Sequence, residues 1–332
     1  MRQPLVWFGV ASSIAGASGG VPACGGGKNM FRTVRPEPDP RRQVLVHYHV
    51  FKNAGSTLDS ILEANFGDRF ARLDGDRHDS NVCNDALIAF LERHPALAAV
   101  TSHHLRPPKP ADPRFAFHDI VFIRHPLARL ASAYAFYRRA APNTDPLAAA
   151  AKLRGLQAFF DWLIDDHPRY VSNVQVNLIA NAGAWLPRAD DLARAVRIVQ
   201  EATIAGTVER FDESAVAAEH VLSPHFRGIE FSYVAQNVSC RPRSLDAQLH
   251  LMRTACGTGL YNHLVELNRL DLALFDTATE RVSHQLATIA DHGRRLKELR
   301  LRCGARQRAA AALILTSNHP VQFVRYANLG IP

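Results

Sequence analysis

The stretch KNAGST at residues 52–57 combines residue types that bind anions. An apolar, β-favouring run precedes it and an amphipathic pattern follows it, so the stretch is predicted to join a buried strand to a helix. Gly55 allows close approach of a ligand to the backbone, and Ser56 and Thr57 are positioned to cap a helix that begins at about Leu58. The N–H groups of the first turn, the helix dipole and the Lys52 ammonium then converge on a phosphate-like group. The alternative is a surface lysine ahead of an ordinary capped helix.

A second basic position, Arg124, follows the strand pattern FHDIVFI at residues 117–123. Pro126 indicates the start of a helix, and Ser132 lies a little more than one turn inside it. A guanidinium and a hydroxyl in this arrangement suit a second phosphate group. In the alternative interpretation Arg124 pairs with an acidic neighbour such as Asp119, and Ser132 is a small residue in a helix interface.

Histidines on the first predicted strand and after the third have several interpretations. His47 and His49 lie on the same side of the first strand and are interpreted as core residues or as residues that support the site. A metal site is the alternative, but two histidines without an identified third ligand give it little support. His125, next to Arg124, is interpreted as structural.

The elements that must position these residues follow a strand–loop–helix order. Apolar runs at residues 44–50, 95–102 and 117–123 predict buried strands of a parallel sheet, and 203–211 and 228–237 predict two more. Helical patterns are predicted after the first and third strands, over 145–181 and 190–202, and from 246 to 299. The predicted fold class is therefore α/β, a P-loop-like doubly wound parallel sheet flanked by helices, with helical additions.

Composition and charge limit the classes of function. The 332 residues include 39 Lys+Arg and 31 Asp+Glu, and the resulting net charge of +8 suits an acidic partner. No zinc-finger spacing or aromatic RNA-binding signature occurs, so nucleic acid is not the expected partner. Five cysteines without CxxC spacing favour a reducing compartment, and the expected localisation is cytoplasmic.

The domain organisation is predicted from the Gly- and Pro-rich start of the chain. Residues 1–42 are interpreted as a disordered leader and linker, 43–305 as one catalytic domain, and 306–332 as its C-terminal tail. The leader faintly resembles a signal or lipoprotein segment, so export or membrane association is the alternative localisation. No stable membrane span is expected, and the oligomeric state is not readable from the sequence.

Four motifs in order resemble the carbohydrate sulfotransferases of the heparan sulfate 2-O-sulfotransferase type and their bacterial relatives. The motifs are FKNAGST, IRHPLARLASAY, GTVERFDES and LVELNRLDLALFDTA, within about residues 44–285. The resemblance implies transfer of a sulfuryl group from 3′-phosphoadenosine 5′-phosphosulfate (PAPS) to a glycan or glycoconjugate, without a metal. It implies that the 5′-phosphosulfate is bound by Lys52, Asn53, Ala54, Gly55, Ser56 and Thr57, and the 3′-phosphate by Arg124 and Ser132.

The resemblance also implies a histidine base on the loop after the second strand. The loop TSHHLRPP supplies His103 and His104, and His103 is favoured because it follows the small residue Ser102. Lys52 is expected to neutralise charge on the departing phosphate. Basic and amide residues expected on the acceptor side are Arg106, Lys109, Arg138, Arg139, Asn173 and Gln175. Trp162 and Trp185 are interpreted as core residues, and stacking on sugar rings is the alternative.

Two other functions are compatible with parts of the sequence. A nucleotide-dependent kinase is disfavoured because the lysine precedes the glycine, whereas a P-loop has Gly-Lys-Ser/Thr in that order. A non-catalytic glycan- or nucleotide-binding module on the same fold is disfavoured by the presence of Lys52 together with a loop histidine.

Overall fold

The computed structural model describes residues 39–77, 80–143, 145–181, 183, 186–234 and 244–316. Within these residues five parallel strands form one sheet in the order β2-β3-β1-β4-β5. The strands are β1 Arg42–Tyr48, β2 Phe70–Arg72, β3 Ala99–Ser102, β4 Phe115–Ile123 and β5 Ile204–Thr207. The predicted fold class, a parallel sheet flanked by helices, is confirmed.

Eleven helices of the described chain surround this sheet. They are α1 Gly55–Phe66, α2 Asn84–Arg93, α3 Pro126–Arg139, α4 Pro146–Leu153, α5 Leu156–Asp166, α6 Val174–Ala180, α7 Ala189–Glu201, α8 Phe211–Leu222, α9 Leu245–Leu267, α10 Arg269–Ala287 and α11 His292–Thr316. Short 3₁₀ helices lie at Gly67–Arg69 and Pro168–Tyr170. None of the helices in the described part of the chain is long and apolar enough to cross a bilayer.

The central strands are largely apolar because both of their faces are covered. In β4, Ile120 and Phe122 pack with α1 and α8, whereas Val121 and Ile123 pack with α6, α7 and α10 on the other face. Side chains that alternate between two packed layers need no polar face, which explains the continuous apolar runs in the sequence. The carboxyl ends of β1, β3 and β4 then meet at one edge of the sheet, where ligands of such folds bind.

One expectation about elements is wrong, and one strand was missed. Residues 228–234 form neither helix nor strand, and the rest of that predicted strand lies outside the described residues. The short strand β2, with partly exposed side chains, was not expected. The helical pattern predicted from 246 to 299 is confirmed and consists of three helices, since the chain turns at Asn268 and again between α10 and α11.

The apolar faces of α10 and α11 pack into the hydrophobic core that covers the sheet. Val282, Leu286 and Leu299 lie in the same core cluster as the sheet residues Leu45 and Ile120. In the described residues α10 and α11 therefore pack onto their own chain.

Gly206 in β5 gives a test of the packing on the sheet. A Cβ atom at this position would lie 2.4 Å from Cζ of the buried Phe122 ring. We expect Gly206→Ala to lower the free energy of unfolding by about 1–3 kcal/mol, since a close-packed core cannot accept the added methyl without strain. Urea denaturation measures the effect.

Gly155, the N-cap of α5, is the matched control. A Cβ there meets no atom within 4 Å, so Gly155→Ala creates no overlap and should lower the unfolding free energy only by the cost of alanine at an N-cap, about 0.5–1 kcal/mol. Equal stability of the two variants would contradict the packing described for β5.

Candidate active site

The loop after β1 holds two non-glycine residues in the left-handed conformation. The φ angles are 68° at Lys52 and 61° at Ala54, values that cost energy for a side-chain-bearing residue and are frequent at functional sites. The left-handed Ala54 is the N-cap of α1, so the helix begins at Gly55. The loop therefore delivers the first-turn N–H groups of α1 next to Lys52.

The expected capping by Ser56 and Thr57 is wrong. α1 begins three residues before Leu58, and no side chain caps it, because Ala54 already makes the turn that a capping residue would make. Ser56 is exposed in the first turn and Thr57 is buried. The Thr57 N–H donates to Ala54 O at 3.0 Å, whereas the N–H groups of Gly55 and Ser56 have no intrahelical acceptor at this end of the helix, which suits them to bind an anion.

The side chain of His49 packs so closely on Gly55 that only glycine fits there. A Cβ atom there would lie 2.0 Å from Cδ2 and Nε2 of His49. The sequence suggested a ligand as the reason for this glycine, but the His49 ring occupies the space.

Arg124 follows β4, and its side chain reaches the Lys52 loop. The Arg124 guanidinium donates from Nη1 to the Lys52 carbonyl oxygen at 3.1 Å. Its Nε lies 3.9 Å from Glu209 Oε1, and Nη2 is 3.5 Å from Gln248 Oε1. The two sequence motifs that were predicted to bind anions are therefore in direct contact.

The alternative prediction, that Arg124 pairs with Asp119, is wrong. Asp119 accepts instead from Lys109 Nζ at 2.7 Å and from Thr203 N at 2.9 Å. Thr203 directly precedes β5, so this contact lies at the amino end of that strand, away from the Lys52 loop. Lys109 is consequently not at the acceptor side as expected.

A buried amide connects the two motifs below the surface. Gln175 Oε1 accepts from the Arg124 N–H at 2.9 Å and from Asn53 Nδ2 at 2.7 Å, and Gln175 Nε2 donates to the Arg124 carbonyl at 2.8 Å. Asn53 Nδ2 also donates to Phe122 O at 2.7 Å. Asp271 in turn accepts from the Gln175 N–H at 3.0 Å. Asn53 and Gln175 therefore hold the loop and the strand end in place.

This geometry corrects the roles that were predicted for the amide side chains of Asn53, Asn173 and Gln175. The Asn53 amide, predicted to bind a cofactor, is buried and bonded to protein acceptors. Gln175 and Asn173, expected to face an acceptor, are also buried, and Asn173 Oδ1 accepts from Leu270 N and Asp271 N. The motif LVELNRLDLALFDTA, which supplies Asp271, was the sequence signal for this junction.

Ser132 lies on the side of α3 that faces Lys52. Phe136 is four residues further along the helix and so shares its face, and the Lys52 ammonium lies 4.9 Å from the Phe136 ring centroid. Ser132 is half-buried on this face. Ser132 therefore lies on the same side of α3 as the ring that the Lys52 ammonium contacts.

Burial and like charge change the acid–base behaviour of Lys52. Burial, followed by the charges of Arg124 and Arg139, lowers the pKa of Lys52 to about 8. Burial also lowers the pKa of Arg124, against the effect of Glu209. The cations are held close together without full compensation, which favours binding of an anion between them.

The two loop histidines have different environments. His104 is buried, and its Nδ1 accepts from the Gly75 N–H at 3.0 Å. His103 is partly exposed to the cleft, its backbone N–H donates to Asp74 Oδ1 at 2.6 Å, and its ring centroid is 3.8 Å from that of His49. Desolvation of the imidazole by the groups packed around it, followed by the charge of the neighbouring His49, lowers the pKa of His103 to about 4, so its imidazole is neutral at pH 7.

A cleft of about 410 Å³ connects His103 with the start of α1. It is lined by His49, Ser56, Asp59, Ser60, Arg72 and His103. A neutral imidazole and the first turn of the anion-binding helix therefore border the same space. The His103 imidazole can therefore accept a proton close to an anion that binds at the start of α1.

The remaining residues expected on the acceptor side divide into two groups. Arg106 donates to the His103 carbonyl, and Arg139 contributes to the field at Lys52. Arg138 instead donates to Ala151 O at 3.2 Å. Trp162, interpreted as a core residue, packs in an apolar cluster. Trp185 lies outside the described residues.

His47, His49 and Asp59 offer ligand atoms that lie within 4.8 Å of one another, close enough to hold a metal ion. Asp59 is therefore the possible third ligand that the sequence alone did not identify. His125 contacts Phe275 edge-on at 5.4 Å, and its N–H donates to Glu209 at 3.1 Å, an environment that agrees with a structural role.

Comparison with known proteins supplies the family. The model described as "Sulfotransferase family" matches residues 39–276, which include the Lys52 loop, Arg124 and Asp271. The chain belongs to the sulfotransferase family. Members of this family are enzymes that transfer a sulfuryl group, and the assignment agrees with two adjacent anion-binding elements and a neutral histidine.

A relative of this sulfotransferase is an uncharacterized protein of Archaeoglobus fulgidus. The two sequences are 27% identical over 245 residues, covering 72% of this chain and 97% of the relative. The similarity therefore extends over nearly all of the archaeal protein.

The electrostatics of the Lys52 loop can be tested without any substrate. The chain has five lysines, so NMR signals of reductively methylated lysines can be assigned by substitution. We expect one lysine, absent in Lys52→Arg, to titrate near pH 8. Arg139→Gln should raise this pKa, because it removes a positive charge that disfavours the ammonium form.

Arg138→Gln is the control, since the neighbouring Arg138 is bonded to the carboxyl end of α4. It should leave the Lys52 titration unchanged. A Lys52 signal that titrates near pH 10.5 in the unsubstituted protein would contradict the described environment.

Proposed function

We propose that the protein transfers a sulfuryl group from PAPS to a hydroxyl group of a glycan or glycoconjugate. The observation that supports this proposal best is the contact between Arg124 Nη1 and the Lys52 carbonyl. A donor with phosphate groups on both sides of one ribose requires two anion-binding elements next to each other. Separate faces for the two elements would have excluded such a donor.

The 5′-phosphosulfate is proposed to bind at the start of α1. The ligands are Lys52, the backbone N–H groups of residues 54–57, and the hydroxyl groups of Ser56 and Thr57. The positive end of the helix dipole and the ammonium stabilise the same negative charge. No side chain caps α1, so the N–H groups of Gly55 and Ser56 do not compete with a capping residue for the anion.

The 3′-phosphate is proposed to bind to Arg124 and Ser132. Arg124 is tied to the protein through one nitrogen to Lys52 and weakly through another to Gln248, and its buried Nε has no hydrogen-bond partner in the described residues. A buried donor without a partner costs free energy, and an anion would supply one.

The reaction is proposed as in-line attack of an acceptor oxygen on the sulfur atom. The new oxygen–sulfur bond forms while the bond from sulfur to the phosphate oxygen breaks, and 3′,5′-ADP leaves. His103 accepts the hydroxyl proton, and Lys52 neutralises charge that develops on the leaving phosphate oxygen. The negative charge of a bound donor raises the pKa of His103 and so strengthens it as a base.

The base assignment is tested by sulfuryl transfer from radiolabelled PAPS to a panel of desulfated glycosaminoglycans. We expect His103→Ala to lower kcat by about 10²- to 10⁴-fold, the usual contribution of a general base. The affinity for 3′,5′-ADP, measured by calorimetry, should stay nearly unchanged. His104→Gln, which removes the buried acceptor of the Gly75 N–H, should reduce kcat much less.

Two outcomes would contradict this assignment. Full activity of His103→Ala would place the base elsewhere, and loss of activity only in a folded His104→Gln would give the role to His104. A strict Mg²⁺ requirement, or turnover of ATP in place of PAPS, would favour the kinase alternative. Binding of 3′,5′-ADP without transfer to any glycan would favour a binding module.

The 3′-phosphate assignment is tested with a pair of nucleotides. Arg124→Gln should weaken the binding of 3′,5′-ADP by about 10- to 100-fold, the range for loss of a charged hydrogen bond. Binding of adenosine 5′-monophosphate, which lacks the 3′-phosphate, should change little. Calorimetry with both ligands on Arg124→Gln and on the control Arg138→Gln makes the comparison.

An equal loss for both nucleotides would indicate a disturbed Lys52 loop rather than a lost phosphate contact. Unchanged affinity for 3′,5′-ADP would remove the assignment.

A further inference from the structure

Asp59 receives hydrogen bonds from two histidines beside His103. Its carboxylate oxygens lie 3.1 Å from His47 Nδ1 and 3.2 Å from His49 Nδ1. Thr101 Oγ1 donates to the same carboxylate at 2.7 Å. All four side chains are buried. Such a cluster is either a cation site or a hydrogen-bond network.

The contacts favour the hydrogen-bond network. His47 Nδ1 also lies 2.9 Å from Thr101 Oγ1, whose proton is directed at Asp59. Each Nδ1 atom thus has an oxygen acceptor, and both carboxylate oxygens receive a donor. Burial opposes ionisation of Asp59, but the bonds from His47 and His49 outweigh it and hold the pKa of Asp59 well below its usual range. Arg72 Nη2 also lies 3.6 Å from Asp59 Oδ2, so the ionised carboxylate has a guanidinium beside it and two imidazole partners, and it needs no added cation.

This network fixes both the tautomer and the position of His49. A neutral His49 that donates from Nδ1 to Asp59 has an unprotonated Nε2, and burial lowers the pKa of His49, so the ring is neutral at pH 7. The ring lies against Gly55, where even a methyl group would overlap it. It also contacts His103, with the ring centroids 3.8 Å apart and the planes inclined by 38°.

We propose that Asp59 and His49 are positioning residues for proton transfer by His103. The inference rests on the proposed function. Asp59 holds the His49 ring in one orientation and tautomer, and that ring keeps His103 at the cleft it shares with Ser56. When His103 takes the acceptor proton, the negative charges of Asp59 and Asp74 stabilise the imidazolium.

The charged and titratable neighbours of this pair come from several elements. Those facing His103 are His49, Asp59, Asp74, His104 and Arg106. Those facing His49 are His47, Asp59, Asp74 and His103. The carboxylates among them oppose the desolvation of the imidazolium.

Kinetics of two substitutions test the proposal. Asp59→Asn keeps the shape but removes the charge, and His49→Phe keeps a ring but removes the Nδ1 donor. With PAPS and the glycan that the unsubstituted enzyme sulfates, we expect each variant to lower kcat by about 10- to 100-fold, as for other residues that orient a functional histidine. Affinity for 3′,5′-ADP should remain within a factor of two, and Asp59→Glu should restore part of kcat.

Another pair of histidine rings in tilted contact provides the control. His118 and His225 have ring centroids 4.1 Å apart, and His118 is bonded to Gln43 at 2.8 Å near the amino end of β1. His118→Phe removes a buried histidine from a similar contact that is distant from the Lys52 loop. It should leave kcat unchanged.

Nitrogen NMR of the unsubstituted protein tests the network even if a variant fails to fold. Long-range ¹H–¹⁵N spectra distinguish the two neutral tautomers, and His49 and His47 can be assigned by comparison with His49→Phe and His47→Phe. We expect both rings to carry the proton on Nδ1. A ring with the proton on Nε2 and no proton on Nδ1 would overturn the proposed bonding to Asp59.

The remaining outcomes separate this inference from the proposed function. Wild-type kcat in Asp59→Asn and His49→Phe, together with an inactive His103→Ala, would overturn the positioning role and leave the sulfotransferase assignment intact. A stoichiometric metal that is lost in Asp59→Asn would replace the network by a metal centre. Absence of transfer by the unsubstituted protein would overturn the proposed function and the positioning role with it, whatever tautomer His49 shows.

Discussion

The hydrogen bonds of the Gln175 amide are the constraint on which the site depends. This side chain bonds the backbone of Arg124 as a neighbouring strand would, and the same oxygen accepts from Asn53 in the loop after β1. Asp271 holds Gln175 from below. Because all of these groups are buried, loss of one partner would leave others unsatisfied. The junction therefore fixes Arg124 relative to Lys52 more firmly than a surface ion pair would.

Around this junction the protein collects positive charge that it does not fully compensate. Burial lowers the pKa values of Lys52, Arg124 and Arg129. Arg129 is buried, and its Nε and Nη2 have no hydrogen-bond partner among the described residues. Cations in such surroundings are unstable without an anion, and a doubly phosphorylated nucleotide would relieve their repulsion. The residues proposed for proton transfer, which are separate from these cations, are His103, Asp59 and His49. They border the cleft at the start of α1.

The sequence was sufficient for the main elements because their signals are local. Buried parallel strands are continuous apolar runs, so β1 and β4 were predictable, and each polar turn after them indicated where ligands bind. The contact between Lys52 and Arg124 was expected only from the order of motifs. Strand β2 was missed because three partly exposed residues give no periodicity.

Other features depend on contacts between distant residues. The αL conformation of Ala54, which moves the start of α1 to Gly55, has no signal in residue type, since alanine seldom adopts it. Gln175 reads as an ordinary amide until the fold places it between Asn53 and Arg124. The role of Asp59 could not be read from the sequence, because only the folded helix α1 brings its carboxylate to His47 and His49.

A crystal structure of the complex with 3′,5′-ADP tests the central claim most directly. The account predicts one nucleotide, with its 5′-phosphate within hydrogen-bond distance of Lys52 Nζ and the first-turn N–H groups of α1, and its 3′-phosphate on the Arg124 guanidinium and Ser132 Oγ. A nucleotide bound elsewhere, or one that touches the Lys52 loop while its 3′-phosphate lies in solvent away from Arg124, would contradict it.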